Sequence, residues 1–259
     1  MTGSAMKRCR HWVLGLVVIG ALAAPSWAQS ETIRSIVRLR VKSDRIGDFT
    51  SAAREYGEVL KKAKWDKSIT VWQSLSGPTE YVVVAYYDKW AELDTRSTDP
   101  KLKEQDADLT RIGARITQCM ESRERIIDVI NEELSLPRTQ EIPKMVRSVR
   151  TRVRPEMVSQ YEALIKSEIV AAAKKAGMKT LITARARYGA PATEFRTAVG
   201  LDNWAELDEP SPIVKAMGEE AYRQFLAKLM PMVLETEWNV YRYMPDLSYI
   251  PSAATTSGN

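Results

Sequence analysis

The sequence predicts an α+β fold of two tandem βαββαβ units, with antiparallel sheets packed face to face as a pseudo-twofold α/β barrel. Three observations carry this. The pentapeptide WAELD occurs twice, from Trp90 to Asp94 and from Trp204 to Asp208, 114 residues apart. Upstream, VRLRVKSDRIGDF (37–49) matches VRTRVRPEMVSQY (149–161) at an offset of 112. Thr79-Glu80-Tyr81 matches Thr193-Glu194-Phe195 at 114, and Glu121-Ser122 has its counterpart in Glu235-Thr236. Self-similarity at one fixed period marks a duplicated unit. The copies run over 31–136 and 144–249, joined by a linker over 137–143, and 250–259 is a polar tail expected to be disordered.

Each element of the first copy has its own signal. Over 33–41, Val37, Leu39 and Val41 alternate with Arg38 and Arg40, which predicts a strand. Ile46, Phe49, Ala53, Tyr56, Leu60 and Ala63 form one helical stripe. Strands over 69–76 and 80–87 flank the hairpin signal Gly77-Pro78. Asp99-Pro100 reads as an N-cap followed by proline at the first helical position, opening a helix through Leu109, Ile112 and Ile116. Residues 123–131 form the last strand. The second copy repeats the order: a strand over 146–153, then a stripe through Val158, Tyr161, Leu164, Ile165, Ile169 and Ala172. A hairpin of 181–187 with 194–201 turns around Gly189-Ala190-Pro191. A helix opens at Ser211-Pro212 and carries Met217, Ala221, Phe225 and Leu229, and a strand follows over 238–243. The order βαββαβ is that of the ferredoxin-like unit, with both helices on one face of the sheet.

Residues 1–28 predict a secretory signal peptide. Lys7, Arg8 and Arg10 precede an apolar run from Trp12 to Ala24, and Ser26 and Ala28 supply the small side chains of a cut before Gln29. The run is too short to span a bilayer. The expected location is the periplasm or the exterior. Removing this segment takes three cations and no acid, so the formal charge of +5 falls to 35 basic against 33 acidic residues. That balance, without a basic run or a basic amphipathic helix, predicts no nucleic-acid partner and no stable membrane association. Cys119, the one cysteine left, ends an apolar stripe and reads as a buried small hydrophobe.

The element order, the tandem copy and the turn after the third strand (Tyr87-Asp88-Lys89-Trp90; Leu201-Asp202-Asn203-Trp204) resemble the dimeric α/β-barrel superfamily, which includes antibiotic-biosynthesis-monooxygenase-like and haem-degrading proteins. The resemblance covers essentially all of 31–249 and implies a fused pair in place of a dimer. The chain is then a monomer with an internal pseudo-dimer, or a homodimer. It also implies a ligand or substrate between sheet and helices or inside the barrel.

Alternation assigns strand faces. Val37, Leu39, Val41, Val149 and Val153 belong beneath helices, which turns Arg38, Arg40, Arg150 and Arg152 to the barrel. Matching the second strands at 113 puts Val71 and Ala184 beneath helices, and Trp72, Ser74, Arg185 and Arg187 on the barrel side. Glu80, Val82, Tyr86, Glu194 and Arg196 join them, with Tyr241 and Tyr243 from the last strand. Two readings stay open for this charged interior. One pairs the glutamates with arginines as structural salt bridges. The other makes Arg38, Arg40, Arg150, Arg152, Arg185 and Arg187 an anion-accepting set flanked by Trp72, Tyr86, Tyr241 and Tyr243. Trp90 and Trp204 are expected to pack under the barrel rim.

The only histidine, His11, falls in the signal segment. A Ser–His–Asp triad, histidine-bound zinc and histidine-bound haem all need one. Haem-degrading and chlorite-dismutase-like branches of the superfamily use a proximal histidine, which this sequence does not offer. No cofactor and no metal are expected. The leading expectation is an exported, non-catalytic protein that binds a small anionic or aromatic ligand or serves a structural role. The competing reading is a cofactor-independent monooxygenase-like enzyme acting on an aromatic or quinol-like substrate, positioned by Trp72, Tyr86, Tyr241 and Arg185. A third is a partner-binding module with an exposed sheet edge.

Overall fold

The computed structural model describes residues 31–94, 99–139 and 141–251; the expected signal segment and most of the expected tail lie outside them. The strands are β1 (Ile33–Val41), β2 (Ile69–Ser74), β3 (Glu80–Tyr87), β4 (Met120–Ile130), β5 (Met145–Val153), β6 (Leu181–Tyr188), β7 (Glu194–Leu201) and β8 (Val233–Tyr243). The main helices are α1 (Ile46–Lys62), α2 (Asp106–Gln118), α3 (Val158–Leu164, Ile165–Val170 and Ala171–Lys175 in succession), α4 (Pro212–Met217) and α5 (Glu219–Leu229). Asp99 accepts from the Lys101 amide and Ser211 from the Val214 amide, so both proline-marked starts are capped by side-chain oxygens.

The eight strands close into one antiparallel barrel in the order β1-β3-β2-β8-β5-β7-β6-β4. The stretches β4-β1-β3-β2 and β8-β5-β7-β6 meet at two seams. At one, Trp72 lies opposite Tyr243 and Ser74 opposite Tyr241; at the other, Val129 lies opposite Arg185. Hydrogen-bonded seams therefore replace the expected stacking of two separate sheets. Closure also leaves none of these strands with a free edge for a partner's strand, which corrects the third reading above.

Helices α1 and α2 cover the outer face of β1–β4, burying Phe49, Leu60, Leu109 and Ile112. Helices α3 to α5 cover β5–β8 around Tyr161, Ile165, Phe195 and Phe225. Both layers hold a tilted aromatic pair, Phe49–Tyr81 with ring centroids 4.6 Å apart and Tyr161–Phe195 at 4.7 Å. Cys119 is buried in the first layer.

The ends of the halves cross over. After β4, Leu134 enters the second layer, the Leu136 amide donates to Leu181 O at 2.8 Å, and Ser135 Oγ accepts from the Thr183 amide at 2.9 Å. After β8, Leu247 enters the first layer, the Tyr249 amide donates to Ile69 O at 2.8 Å, and Ser248 Oγ accepts from the Val71 amide at 2.8 Å. Leu134-Ser135-Leu136 and Leu247-Ser248-Tyr249 thus make the same contacts, each in the half to which it does not belong. Residues 245–249 accordingly serve the core of the first half.

The WAELD turns are held by their glutamates. Glu206 Oε1 accepts from the amides of Asp202 and Asn203, and Glu92 Oε2 accepts from the Asp88 amide while Oε1 pairs with Lys67 Nζ at 3.1 Å. Trp90 and Trp204 are 40% and 49% exposed, so the expected burial of these indoles is corrected: the pentapeptide is a capped turn.

Candidate functional site

Among the described residues the two larger cavities lie inside the barrel and between the first sheet and its helices. The barrel interior is built by the even-numbered positions of β1 to β7 and the odd-numbered ones of β8. Arg38 donates to Glu80 and pairs with Glu124 at 3.2 Å, and Tyr241 Oη donates to Glu80 Oε1 at 3.3 Å. Arg150 pairs with Glu194 at 3.4 Å, Glu235 at 2.6 Å and Glu237 at 2.7 Å. Glu80, Glu124, Glu194, Glu235 and Glu237 thus take up the charge of Arg38 and Arg150, as the salt-bridge reading has it. Arg40 and Arg152 are exposed at strand ends.

Arg185 and Arg187 are corrections. Arg185 lies on the helix side, where its guanidinium sits over the Phe195 ring at 5.6 Å, pairs with Glu162 of α3 and donates to Ala192 O at 2.7 Å. Arg187 is exposed and pairs with Glu31 at 3.8 Å. The register explains the error. Trp72 opposes Val82 and Ala184 opposes Arg196, so β2 corresponds to β6 at 112, and a one-residue slip turns every side chain over. Residue counts explain the slip. The π-helical stretch Ile165–Val170 makes α3, at 7, 6 and 5 residues, one longer than the 17 of α1, and the loop before β6 takes that residue back. The expected six-arginine convergence, and its surplus of positive charge, is therefore absent.

Three predicted residues do come together. Trp72, Tyr86 and Tyr241 line a barrel cavity of about 440 Å³, bounded at one end by linker residues 136–139 and 141–143. Tyr243 packs against Trp72 at 5.2 Å. The polar wall consists of residues outside the predicted set. Arg34 grips Asp128 with a bidentate fork, Nε to Oδ1 at 2.9 Å and Nη2 to Oδ2 at 2.7 Å, both side chains being buried. Burial opposes the Arg34 charge, but the Asp128 carboxylate outweighs it and the guanidinium pKa rises. Arg196 pairs with Glu194 through Nη2, while its buried Nη1 has no acceptor among the described residues and lies 3.9 Å from Asp128 Oδ2. Burial lowers its pKa against the pull of Glu194 and Asp128. Continuing the alternation of Arg38 backwards by four residues would have found Arg34. An acid in the apolar run Ile126-Ile127-Asp128-Val129-Ile130 was the signal for Asp128, because buried carboxylates need partners.

The second cavity, about 520 Å³, lies between the first sheet and helices α1 and α2. Its walls are chiefly apolar, with Phe49, Leu60, Val71 and Leu109 among them, and its polar groups include Arg125, Tyr87 and Trp65. Arg125 Nε donates to Ser35 Oγ at 3.2 Å, and burial raises the pKa of Tyr87. The Trp65 indole N–H is buried with no acceptor among the described residues. Side-chain size opens this space. The helices correspond at 113 around α2 and at 112 at the start of α1, so Gly113 stands where α5 has Leu226, Leu109 where it has Tyr222, and Ala53 where α3 has Ile165. Sequence reasoning missed this cavity, although Gly113 inside an amphipathic helix was visible.

No family model matches the chain, and no curated protein does. Solved structures do match. A protein from Lactobacillus acidophilus named "putative monooxygenase" superposes with a TM-score of 0.59 at 11% identity, over 85% of this chain and 97% of its own. An anthrone oxidase-like protein gives 0.55 at 10%, over 84% and 92%. Chlorite dismutase from Candidatus Nitrospira defluvii gives 0.54 at 11%, over 83% and 92%. A haem with a histidine ligand does not fit this chain, because no histidine stands among the described residues to carry it. What these proteins share with this chain, at such identities, is the α+β barrel fold.

Proposed function

We propose that the protein is a cofactor-independent oxygenase, exported and built from two fused ferredoxin-like copies, which oxidises a reduced aromatic of the anthrone type in the cavity between the first sheet and its helices. The observation that carries this is the buried N–H donor of Trp65, without an acceptor among the described residues, on the wall of a chiefly apolar space large enough for a fused-ring substrate. The names of the structural neighbours, monooxygenase and anthrone oxidase-like, favour an enzyme over the non-catalytic binding protein first expected.

The reaction needs a substrate methylene, or its enol tautomer, and dioxygen. The CH₂ group becomes C=O, one oxygen atom stays in the product and the other leaves as water. All four electrons come from the substrate. An apolar pocket keeps water from the reduced ring and from oxygen intermediates. The Trp65 N–H would donate to the enolate oxygen as charge develops there, and Arg125 would add a cation nearby. The test is dioxygen uptake with anthrone, corrected for spontaneous oxidation. Uptake of one dioxygen per anthrone is expected, with Trp65→Phe slowing turnover by about 10²-fold, the effect of losing one donor to a developing oxyanion. Rates equal to buffer alone, or an unimpaired Trp65→Phe enzyme, would contradict the reading.

A further inference from the structure

We propose that the barrel cavity is a second binding site, one that takes a small arylcarboxylate. It is separate from the oxygenase cavity and stands whether or not that reading holds. The argument starts from the unmet hydrogen bond of Arg196. This guanidinium comes from β7, is largely buried, and lines the cavity. Its Nη2 is held by Glu194, and its Nη1 has no acceptor among the described residues. Asp128 does not complete the set, because its Oδ2 stands 3.9 Å from Nη1, beyond hydrogen-bond distance. A buried N–H of a charged group is costly to leave unmade. A carboxylate oxygen entering the cavity would supply the missing acceptor.

The cavity is lined by Arg34, Arg138 and Arg196, while Lys179 and Glu141 at its rim pair with one another at 3.1 Å. Arg138 sits at the mouth, with its guanidinium 5.5 Å above the Tyr86 ring and Nη2 donating to Thr32 Oγ1 at 3.1 Å. The remaining wall suits a flat apolar body: Trp72 and Tyr241 present ring surface, and Val82 and Ile36 are aliphatic. Space for that body comes from the second half. Ala198 stands where the first half has Val84, and Ser148 where it has Ile36. A volume of about 440 Å³ accommodates a two-ring acid.

Isothermal titration of the protein with 1-naphthoate, and with its neutral isostere 1-naphthamide, tests this. Naphthoate should bind once per chain, roughly tenfold or more tighter than the amide, as a charge-assisted bond requires. Arg196→Met should remove that preference. Ala198→Leu, which fills the cavity without touching an ion pair, should abolish binding of both compounds while thermal unfolding stays unchanged. The second variant decides the matter if Arg196→Met does not fold. Equal affinity for acid and amide, no binding at all, or undiminished binding to a folded Ala198→Leu would overturn the proposal. So would loss of naphthoate binding in Gly113→Leu, since that change fills only the other cavity.

Discussion

The two halves of the barrel have the same strand order and opposite allocations of space. In the first half the gap lies outside the sheet, where Gly113, Leu109 and Ala53 leave room beneath α1 and α2. In the second half Leu226, Tyr222 and Ile165 pack the corresponding layer. Inside the barrel the pattern reverses: the first half contributes the bulky Trp72, Tyr86 and Arg34, and the second the small Ala198 and Ser148. Two halves that support each other can thus keep one backbone while their side chains divide the labour. Closure of the barrel and the crossed tails hold the frame, so packing in one half is free to serve a site in the other.

The largest expected effect lies at one position inside the barrel and its counterpart. Asp128 and Tyr241 occupy equivalent places on β4 and β8, opposite Arg34 and Val146. Asp128→Asn should cost about 3–5 kcal/mol in urea unfolding, because it strands the buried Arg34 charge. Tyr241→Phe should cost only about 1 kcal/mol, the worth of one hydrogen bond. Equal costs would break the claimed asymmetry. Next come the crossed tails. Leu134→Ala and Leu247→Ala each remove a buried side chain from the opposite half and should each cost about 2–5 kcal/mol. A negligible cost for one of them would show that the halves are not stapled reciprocally. The smallest effects separate the two hairpins. Gly77 and Gly189 both have positive φ, +72° and +79°. A side chain at Gly77 meets open space, so Gly77→Ala should cost about 1–2 kcal/mol, the penalty of the left-handed region. At Gly189 a Cβ would overlap the Arg125 carbonyl, and Gly189→Ala should cost clearly more.

Much of this frame was legible in the residues. Alternation in 37–41 and 149–153, the apolar stripes, and Asp99-Pro100 and Ser211-Pro212 located the elements and their order. Less was legible where the copies differ in length. The extra residue of the π-helical stretch in α3 is taken back by the loop before β6, so β2 and β6 stay at 112. The expected offset of 113 put Arg185 and Arg187 on the wrong face. The tails escaped notice because Leu134-Ser135-Leu136 and Leu247-Ser248-Tyr249 share only two identical residues. Ion-pair partners were legible only in part: alternation brought Arg38 and Glu80 to one face, but strand register decides that Arg34 faces Asp128. Cavities are the least readable feature, since each depends on the absence of volume at several separated positions.

The division of labour between the halves is tested most directly by giving the first half the residue of the second. Gly113→Leu installs at α2 the side chain that α5 carries at Leu226. The measurement is dioxygen uptake with anthrone by the wild-type protein and by this variant, alongside thermal unfolding of both. The account predicts that the variant falls to the spontaneous rate while its stability is unchanged or raised. A Gly113→Leu protein that consumes dioxygen as fast as wild type would contradict it.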